Sequence, residues 1–318
     1  MSIQASEFIW QNGEMKPWQQ ATVHVLSHAL HYGSSIFEGI RSYETPDGTM
    51  LFRVSDHVER MLNSARIYQM PVAFGKDEIV QICHDVVAIN GLSSAYIRPL
   101  FYFGYGSLGV VPSKEMVTEC TVAAFQWGAY LGEDGLKEGV DVGVSSWQRM
   151  APNTFPAMAK AGGNYLSSRL ISQEAKRLGY REGIALDVSG FVSEGPGENL
   201  FAVKDGVIRT PSLHHSVLDG ITRDTVMKLA KAKGYEVIET TLPREYLYLA
   251  DELFFTGTAA ELVPIRSVDG IQIGNGSAGA VTMELQDAFF GLFNGKTTDQ
   301  WGWLSPLKAS EAHLDKAV

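Results

Sequence analysis

Residues 158–168 read MAKAGGNYLSS and place Lys160 in an unusual setting. Lys160 is the only charged residue between Ala151 and Ser168, although surface lysines usually lie among other charged residues. Burial among apolar groups favours the neutral, reactive form of a lysine, and the glycines after it would let a bulky ring approach the backbone. The stretch therefore has two interpretations, a lysine that reacts through its amine and a solvated lysine in a loop.

The sequence that follows this stretch predicts an α+β architecture. Short strands alternate with helices, and this order fits an α+β sheet or pseudo-barrel better than a strictly parallel sheet. The predicted strands are GIALDV (183–188), NLFAVKDG (199–206) and ELFFTG (252–257), and the predicted helices cover about 163–178, 222–233 and 279–293.

The sequence that precedes it predicts a smaller α+β unit. Strands are expected in TMLFRV (49–54), SAYIRPLFYF (94–103) and TVAAFQW (121–127), and EFIWQNGEM (7–15) predicts a strand with a turn at Asn12–Gly13. We expect Ser55 to cap a helix, with a second helix from Lys76 to Asn90 that ends at Gly91. The first of these helices has one apolar face, formed by Val58, Met61, Leu62 and Ala65.

A stretch rich in glycine and charge, residues 132–139, predicts the linker between two domains. It separates a small N-terminal domain, 1–131, from a larger C-terminal domain, 140–306. Residues 307–318 have little apolar surface to bury and are predicted to form a flexible tail.

Composition limits the classes of function. With 318 residues, 45% of them hydrophobic and 19% charged, the chain is long enough and apolar enough for two folded domains. The formal net charge of -10 argues against a general surface for nucleic acid or for anionic membranes. Small anions could still bind at a local basic pocket.

Neither a signal peptide nor a membrane span is evident in the sequence. The first residues lack a basic stretch followed by an apolar one, and no apolar run approaches the roughly 20 residues that a span needs. Cys83 and Cys120 lie far apart and outside any CxxC motif, so we expect two buried thiols. These features predict a cytoplasmic protein.

Two further motifs give only weak evidence for a dinucleotide site or a metal site. GYGSLG (104–109) matches GxGxxG after a strand, but Pro112 stands where a dinucleotide-binding helix should begin. His24, His28 and His31 have a spacing that would align three imidazoles on a helix, but the stretch begins like a strand and no carboxylate completes the set before Glu38. We therefore predict neither a dinucleotide site nor a metal site.

Three segments could cooperate with a reactive lysine. VLDGITRD (217–224) places Asp219 to Thr222 at a helix start, where backbone N–H groups suit a phosphate, although the same residues also form an ordinary cap. Residues 256–260, TGTAA, form a small-residue loop that could face an anion. VSEGPGENLF (192–201) offers Glu194 and Glu198 as partners for a ring nitrogen. A lysine, a phosphate cradle and a carboxylate are what a pyridoxal phosphate enzyme needs.

Longer blocks carry a family resemblance. The chain resembles the bacterial branched-chain amino acid aminotransferases, which are fold-type IV pyridoxal phosphate enzymes, from about residue 7 to WGW at 301–303. This resemblance implies an α+β two-domain fold with a small α/β N-terminal domain and a larger pseudo-barrel C-terminal domain. It also implies an active site between the domains and at least a homodimer, often a hexamer built as a trimer of dimers. The blocks are HALHYGSSIFEGIRSY, AYIRPL, AAFQWGAYLG, APNTFPAMAKAGGNYLSS, EGIALD, VSEGPGENLF, LDGITRD and LFFTGTAAELVPIRSVDG.

The resemblance assigns the cofactor contacts residue by residue. Lys160 would form the imine with pyridoxal 5'-phosphate and act as the general base and acid, Glu194 would pair with the pyridine nitrogen, and Tyr165 would contact the ring hydroxyl. The phosphate would be held by Arg60, Ile221, Thr222 and Thr258.

The resemblance also implies L-leucine, L-isoleucine and L-valine as amino donors and 2-oxoglutarate as the acceptor. Arg98, helped by Tyr96 and Tyr32, would bind the distal carboxylate of glutamate. The α-carboxylate would lie on the backbone N–H groups of Thr258 and Ala259. The apolar pocket would consist of Phe37, Gly39, Trp127, Tyr130 and Tyr165, with Tyr32 and Val110 from the neighbouring subunit.

Other members of the fold type remain alternatives. D-amino acid aminotransferases carry Arg-x-His after the corresponding strand, and Leu100 replaces that histidine here. Aminodeoxychorismate lyases share the lysine and the glutamate but not the HALHYGSSIFEGIR block. An amine transaminase and a non-catalytic binding protein with the same fold are the other two alternatives.

Overall fold

A computed structural model describes residues 3–128 and 130–310. Within these ranges it contains sixteen β-strands and eight α-helices. The strands are β1 Phe8–Gln11, β2 Glu14–Pro17, β3 Ser35–Phe37, β4 Ile40–Thr45, β5 Gly48–Phe52, β6 Ala95–Phe103, β7 Thr118–Phe125, β8 Val140–Val144, β9 Glu182–Ile184, β10 Asn199–Lys204, β11 Val207–Pro211, β12 Val237–Thr240, β13 Glu252–Gly257, β14 Glu261–Val268, β15 Ile271–Gln272 and β16 Leu304–Pro306. The helices are α1 His28–Tyr32, α2 Val54–Ile67, α3 Lys76–Ile89, α4 Glu133–Glu138, α5 Tyr165–Arg177, α6 Ile221–Ala232, α7 Arg244–Leu249 and α8 Ala280–Asn294.

The described residues form two compact units. The first contains residues 3–127, 159–163 and 298–310, and the second contains residues 128, 130–158 and 164–297. Each unit has one eight-stranded sheet together with helices, so the predicted α+β class is confirmed. The division differs from the predicted 140–306 domain, because the segment around Lys160 and the stretch that contains β16 belong to the first unit.

The sheet of the first unit is antiparallel throughout and has the order β16-β5-β4-β6-β7-β1-β2, with β3 paired to β6. The predicted turn between β1 and β2 is confirmed, since Asn12 and Gly13 both have positive φ angles, 51° and 97°. A two-residue turn of this kind matches the twist of the strands it joins.

Helices α2 and α3 bury apolar faces in the core of the first unit. The predicted face of α2 is confirmed, because Val58, Met61 and Ala65 are buried and Leu62 packs against the same core. Helix α3 begins at Lys76 as predicted and ends at Ile89, one residue before the predicted end, and Gly91 after it adopts a φ of 60°.

The predicted cap at Ser55 is wrong. The cap position is two residues earlier, at Arg53, which has a left-handed φ of 51°, and helix α2 begins at Val54. The Arg53 N–H group donates to the Trp303 carbonyl oxygen at 2.8 Å, and its side chain pairs with Asp56 at 2.6 Å. These two contacts fix Arg53 between β5 and the helix, so the helix begins before Ser55.

The sheet of the second unit is mixed, so the prediction against a strictly parallel sheet is confirmed. Its order is β12-β11-β10-β13-β14-β8-β9, with β15 paired to β14. The pairs β11–β12, β14–β8 and β8–β9 are parallel and the others are antiparallel. The rings of Phe201 and Phe254 stack 5.0 Å apart on the neighbouring strands β10 and β13. The three helices predicted for this half correspond to α5, α6 and α8, whereas α4 lies inside the predicted linker and α7 was not predicted.

The first residues of the predicted tail are held in place. The Leu307 N–H group donates to the Thr49 carbonyl oxygen at 2.9 Å, and Ser310 donates to both carboxylate oxygens of Asp85 at 2.7 and 2.8 Å. These hydrogen bonds join residues 307–310 to the first unit, residues 311–318 lie outside the described part, and the flexible tail stays a prediction.

Both cysteines are buried free thiols, as predicted, and burial raises the pKa of each. Within residues 3–128 and 130–310, every helix is too short or too polar to cross a membrane.

Candidate active site

The backbone of Lys160 is fixed from two sides within the first unit. Its N–H group donates to Ser64 Oγ on α2 at 3.0 Å, and its carbonyl oxygen accepts from the Phe37 N–H group at 3.0 Å. The next residue, Ala161, forms a β-bridge with Ile36. The lysine thus lies on a segment that pairs with the strand β3 and contacts α2.

The side chain of Lys160 is half-buried. Its Nζ atom lies 5.1 Å from the centroid of the Phe37 ring, in the range of a cation–π contact. An aromatic ring beside the amine distinguishes this lysine from a solvated loop residue.

A buried carboxylate lies next to Phe37. Glu38 is fully buried, and Arg60 donates to both of its oxygens, from Nε at 2.6 Å and from Nη2 at 2.8 Å. The Nδ1 atom of His57 lies 2.8 Å from Glu38 Oε2. Residues 57 and 60 are one helical turn apart on α2, so both side chains reach the same carboxylate.

Electrostatics determine the protonation of this cluster. Burial raises the pKa of the Glu38 carboxyl, but the charge of Arg60 and the contact with His57 outweigh burial and hold that pKa well below its ordinary value. Burial lowers the pKa of His57, and the Glu38 charge offsets this only in part, while Arg60 and Lys160 add to the lowering. The cluster therefore contains an ionised glutamate, a charged arginine and a neutral histidine at pH 7.

We expect the buried His57 to make the protein less stable in mild acid. The unfolded chain binds a proton at His57 below about pH 6.5, whereas the folded chain resists it, so the free energy of unfolding falls with decreasing pH by up to about 1.4 kcal/mol per pH unit. His57→Asn keeps a donor for Glu38 but does not titrate. Urea denaturation between pH 7.5 and 5.5 should show a smaller decrease for the variant than for the wild type. Equal decreases would contradict the assignment.

Tyr96 and Arg98 point to one face of β6, because residues two apart on a strand share a face. Arg98 Nη2 donates to Tyr96 Oη at 3.2 Å, and the guanidinium carbon lies 4.8 Å from the Phe37 ring centroid and 5.1 Å from that of Tyr96. The ring of Trp127 lies 5.0 Å from the Tyr96 ring. A Cβ atom on Gly39 would approach Tyr96 Oη to 1.8 Å, so this arrangement requires glycine at that position. The first unit therefore brings together five predicted substrate residues: Phe37, Gly39, Tyr96, Arg98 and Trp127.

Tyr32 and Val110, predicted to serve a neighbouring subunit, both lie at the surface of the first unit. Tyr32 Oη donates to the Leu108 carbonyl oxygen at 2.6 Å, and Val110 is 77% exposed. Tyr130 of the second unit is also exposed.

The motifs that were set aside have structural roles. The ring of His28 contacts Ser34 Oγ and the Gly109 carbonyl oxygen, at 2.7 and 2.8 Å. His31 contacts the Val25 carbonyl oxygen at 3.1 Å, and His24 accepts from the Leu26 N–H group at 3.1 Å. The GYGSLG motif lies in the turns and loop that connect β6 to β7.

Glu194 occupies a network of donors in the second unit. It is buried, and its Oε1 atom accepts from Arg149 Nη2 at 2.6 Å. Its Oε2 atom accepts from Asn199 Nδ2 at 3.1 Å and from the Leu218 N–H group at 3.0 Å. Arg149 Nη1 also donates to Ser168 Oγ on α5, at 3.2 Å. Glu194 is thus an oriented carboxylate with a charged partner.

The alternative carboxylate has a different setting. Glu198 is also buried, and its Oε2 atom accepts from the Gly197 N–H group at 3.0 Å. The Glu194 carboxylate is paired with the guanidinium of Arg149, and such a partner favours the charged form of a buried carboxylate. Tyr165, the predicted partner of a ring hydroxyl, is half-buried at the first residue of α5.

The start of α6 has the geometry of an anion site. The helix begins at Ile221 after Gly220, and the Thr222 side chain is buried there. A Cβ atom on Gly220 would lie 1.8 Å from Asn199 Oδ1, so the close packing of this turn requires glycine. Backbone N–H groups at the start of a twelve-residue helix favour a phosphate.

The loop between β13 and β14 is a second candidate for an anion. Gly257 pairs with Glu261, so Thr258 and Ala259 lie at the tip of a tight turn and are half-buried. Thr256 Oγ1, just before the turn, is buried and has no hydrogen-bond partner within the described part of the chain. An orphaned buried hydroxyl beside a small-residue turn fits a polar ligand, because a buried polar group without a partner is costly.

Several of these residues were not identified from the sequence. Arg149, His57 and Ser64 carry no local signal, since each gains its role from a partner far away in the chain. Asn199 lies only five positions from Glu194, in the same sequence block, but was given no role there. Glu38 has one signal, an acid between Phe37 and Gly39 next to an apolar strand.

Comparisons with known proteins agree with one another. The family model for amino-transferase class IV matches residues 35–268. The chain is 57% identical to the branched-chain-amino-acid aminotransferase of Salmonella typhimurium, over 97% of this chain and 100% of that protein. It is 45% identical to the enzyme of the same name from Pseudomonas aeruginosa, over 94% and 97% of the two chains.

Solved structures are equally similar. The crystal structure of the Escherichia coli branched-chain amino acid aminotransferase superimposes with a TM-score of 0.95 at 57% identity, covering 96% of this chain and 100% of that one. The T.th. branched-chain amino acid aminotransferase, crystallised with pyridoxamine 5'-phosphate, has a TM-score of 0.92 at 45% identity, with the same coverage.

Proposed function

The chain belongs to the class IV aminotransferase family, and we propose that it transfers the amino group of L-leucine, L-isoleucine and L-valine to 2-oxoglutarate. The products are the branched-chain 2-oxo acids and L-glutamate. The observation that carries this proposal is the 57% identity, over nearly the whole chain, to relatives named for this activity.

The family uses pyridoxal 5'-phosphate, and the side chains present here fit that group. When bound, the cofactor supplies an electron sink for the carbanion formed at the substrate α-carbon. We assign Lys160 Nζ to covalent attachment and to movement of the α-proton. Tyr165 is assigned to the ring hydroxyl, and the residues assigned to the phosphate are Arg60, Ile221, Thr222 and Thr258.

Glu194 is assigned to the pyridine nitrogen. Its carboxylate already accepts three hydrogen bonds, one of them from the guanidinium of Arg149. These donors stabilise the ionised carboxylate, and an ionised carboxylate favours a proton on the ring nitrogen. A protonated ring is the stronger electron sink.

The proposed substrate pocket combines apolar and cationic groups. Arg98 lies over the Phe37 and Tyr96 rings and is assigned to the distal carboxylate of glutamate. The backbone N–H groups of Thr258 and Ala259 are assigned to the α-carboxylate. The remaining apolar contacts are assigned to Gly39, Trp127, Tyr130 and Tyr165, with Tyr32 and Val110 of the neighbouring subunit.

Two measurements test this proposal. The purified protein should be yellow, and borohydride should bleach it and label the peptide that contains Lys160. With 2-oxoglutarate as acceptor, a panel of L-Leu, L-Ile, L-Val, L-Phe, D-Ala and 1-phenylethylamine should give highest rates with the three branched-chain substrates. A colourless protein, or a label at Lys176 instead, would contradict the assignment of Lys160 to covalent attachment of the cofactor. Preference for D-Ala or for the amine would select another member of the fold type.

Arg98→Ala should damage the two halves of the cycle unequally. Loss of a charge-assisted contact to the distal carboxylate should lower kcat/KM for glutamate and 2-oxoglutarate by roughly 30- to 1000-fold. Leucine makes no ion pair there, so its half-reaction, followed by single-turnover loss of visible absorbance, should decrease less. Equal losses in a folded variant would instead place Arg98 on the shared α-carboxylate.

We also propose at least a homodimer in the cytoplasm, with a hexamer as the larger alternative. Support comes from exposed apolar side chains on the first unit, among them Val25, Leu30 and Val110. Apolar surface of this kind is typical of a protein interface. Sedimentation equilibrium would distinguish monomer, dimer and hexamer.

A further inference from the structure

Helix α2 directs three polar side chains toward the segment that carries Lys160. His57 and Arg60 reach Glu38, and Ser64 reaches the backbone of Lys160 itself. These positions are spaced at i, i+3 and i+7, so they form one stripe along the helix. The stripe faces Glu38 and the segment that carries Lys160, which pairs with β3 through Ile36 and Phe37.

Ser64 is fully buried and uses its hydroxyl in two directions. The Oγ atom donates to the Arg60 carbonyl oxygen at 2.9 Å and accepts from the Lys160 N–H group at 3.0 Å. A hydroxyl has both a donor and acceptor lone pairs, whereas alanine has neither and a thiol accepts only weakly. The serine therefore connects the helix to the lysine backbone through two hydrogen bonds that alanine cannot form and that cysteine forms only weakly.

The contacts close into a ring that links Arg60 with Lys160. The Lys160 carbonyl oxygen accepts from the Phe37 N–H group, and the next residue, Glu38, is held by the Arg60 side chain. The Arg60 carbonyl oxygen in turn accepts from Ser64, which holds the Lys160 N–H group. Two hydrogen-bonded paths thus set the position of the lysine backbone relative to the arginine.

We propose that Ser64 is a positioning residue of the amino-transfer reaction, because it fixes the Lys160 backbone relative to Arg60. The inference rests on the proposed function, in which Arg60 holds the phosphate and Lys160 is released from the cofactor and attached again in every cycle. The four-carbon stem of lysine is flexible, so the return of its amine to one point depends on a fixed backbone. A displacement of about 1 Å at such a point lowers a rate by roughly 100-fold.

Ser42 offers a matched control. It is also a buried serine of the first unit, and its Oγ atom accepts a backbone N–H bond, from Ala95, at 3.0 Å. Ser42→Ala and Ser64→Ala therefore remove the same kind of buried acceptor, but only the second removes a contact with Lys160. Ser64→Cys keeps a small side chain of the same shape and replaces the strong acceptor by a weak one, in case the alanine variant does not fold.

The first readout needs no cofactor. Hydrogen exchange of the Lys160 amide in the cofactor-free protein should be at least ~10-fold faster in Ser64→Ala or Ser64→Cys than in the wild type, because its acceptor is lost. Ser42→Ala should leave this amide unchanged. Unchanged exchange in both Ser64 variants would overturn the proposal.

The second readout follows the return of the lysine. The enzyme is first converted to the form that holds pyridoxamine 5'-phosphate and is then mixed with 2-oxo acid. The visible absorbance should return roughly 10- to 100-fold more slowly in the Ser64 variants than in the wild type, while the cofactor Kd is unchanged. Wild-type recovery, or equal slowing in Ser42→Ala, would overturn a positioning role. Failure of the proposed function is recognised separately, since wild-type protein would then lack the borohydride label on Lys160; the role of Ser64 in the reaction would be rejected with it.

Discussion

Lys160→Met should lower kcat for the leucine and 2-oxoglutarate reaction by about 10⁴-fold, the upper end of what one general acid–base group contributes. The variant keeps an apolar stem beside the Phe37 ring but lacks the amine that is assigned to move the α-proton. Steady-state rates with a coupled glutamate assay measure the loss. The borohydride label on this peptide should disappear at the same time.

Lys176→Ala provides the control for this result. Lys176 is exposed near the end of α5, and its replacement should change kcat by less than about twofold, as expected for a surface position. A Lys160→Met protein that is folded and retains more than a tenth of the wild-type rate would show that another group moves the proton.

Arg149→Met should be the most destabilising of the substitutions considered. Glu194 has only 4% of its surface exposed, and loss of Arg149 removes the guanidinium charge that pairs with this buried carboxylate. Breaking a buried ion pair from one side costs about 3–5 kcal/mol of unfolding free energy. Urea denaturation of the cofactor-free protein measures this cost without any contribution from ligand binding.

The double variant Arg149→Met/Glu194→Gln separates the charge effect from lost packing. It contains no buried charge at this position, so it should be more stable than Arg149→Met alone, and the two changes should not be additive. If the loss of unfolding free energy in the double variant equals the sum of the losses in the two single variants, the two side chains do not stabilise each other. Glu194→Gln alone should also weaken transamination far more than cofactor binding.

The family and most secondary structure were accessible from the sequence because their signals are local. Asn12–Gly13 predicts its hairpin through the positive φ angles that these residue types tolerate, and Gly91 ends α3 for the same reason. The apolar spacing of α2 predicts its buried face. The blocks around Lys160, Glu194 and Thr222 indicated the fold-type IV aminotransferases, and the comparisons confirm that family.

The partners of the proposed reactive groups depended on the tertiary structure. Arg149 meets Glu194 across 45 positions of the chain, and Arg60 meets Glu38 across 22, distances at which residue spacing carries no signal. The helix start at Arg53 likewise depends on Trp303, far along the chain. Local chemistry therefore sufficed to predict the family and to select one lysine and one carboxylate as candidates. Only the tertiary structure determines which charged group pairs with the carboxylate and which serine binds the lysine backbone. The reason is that burial and long-range contacts arise only when distant segments pack together.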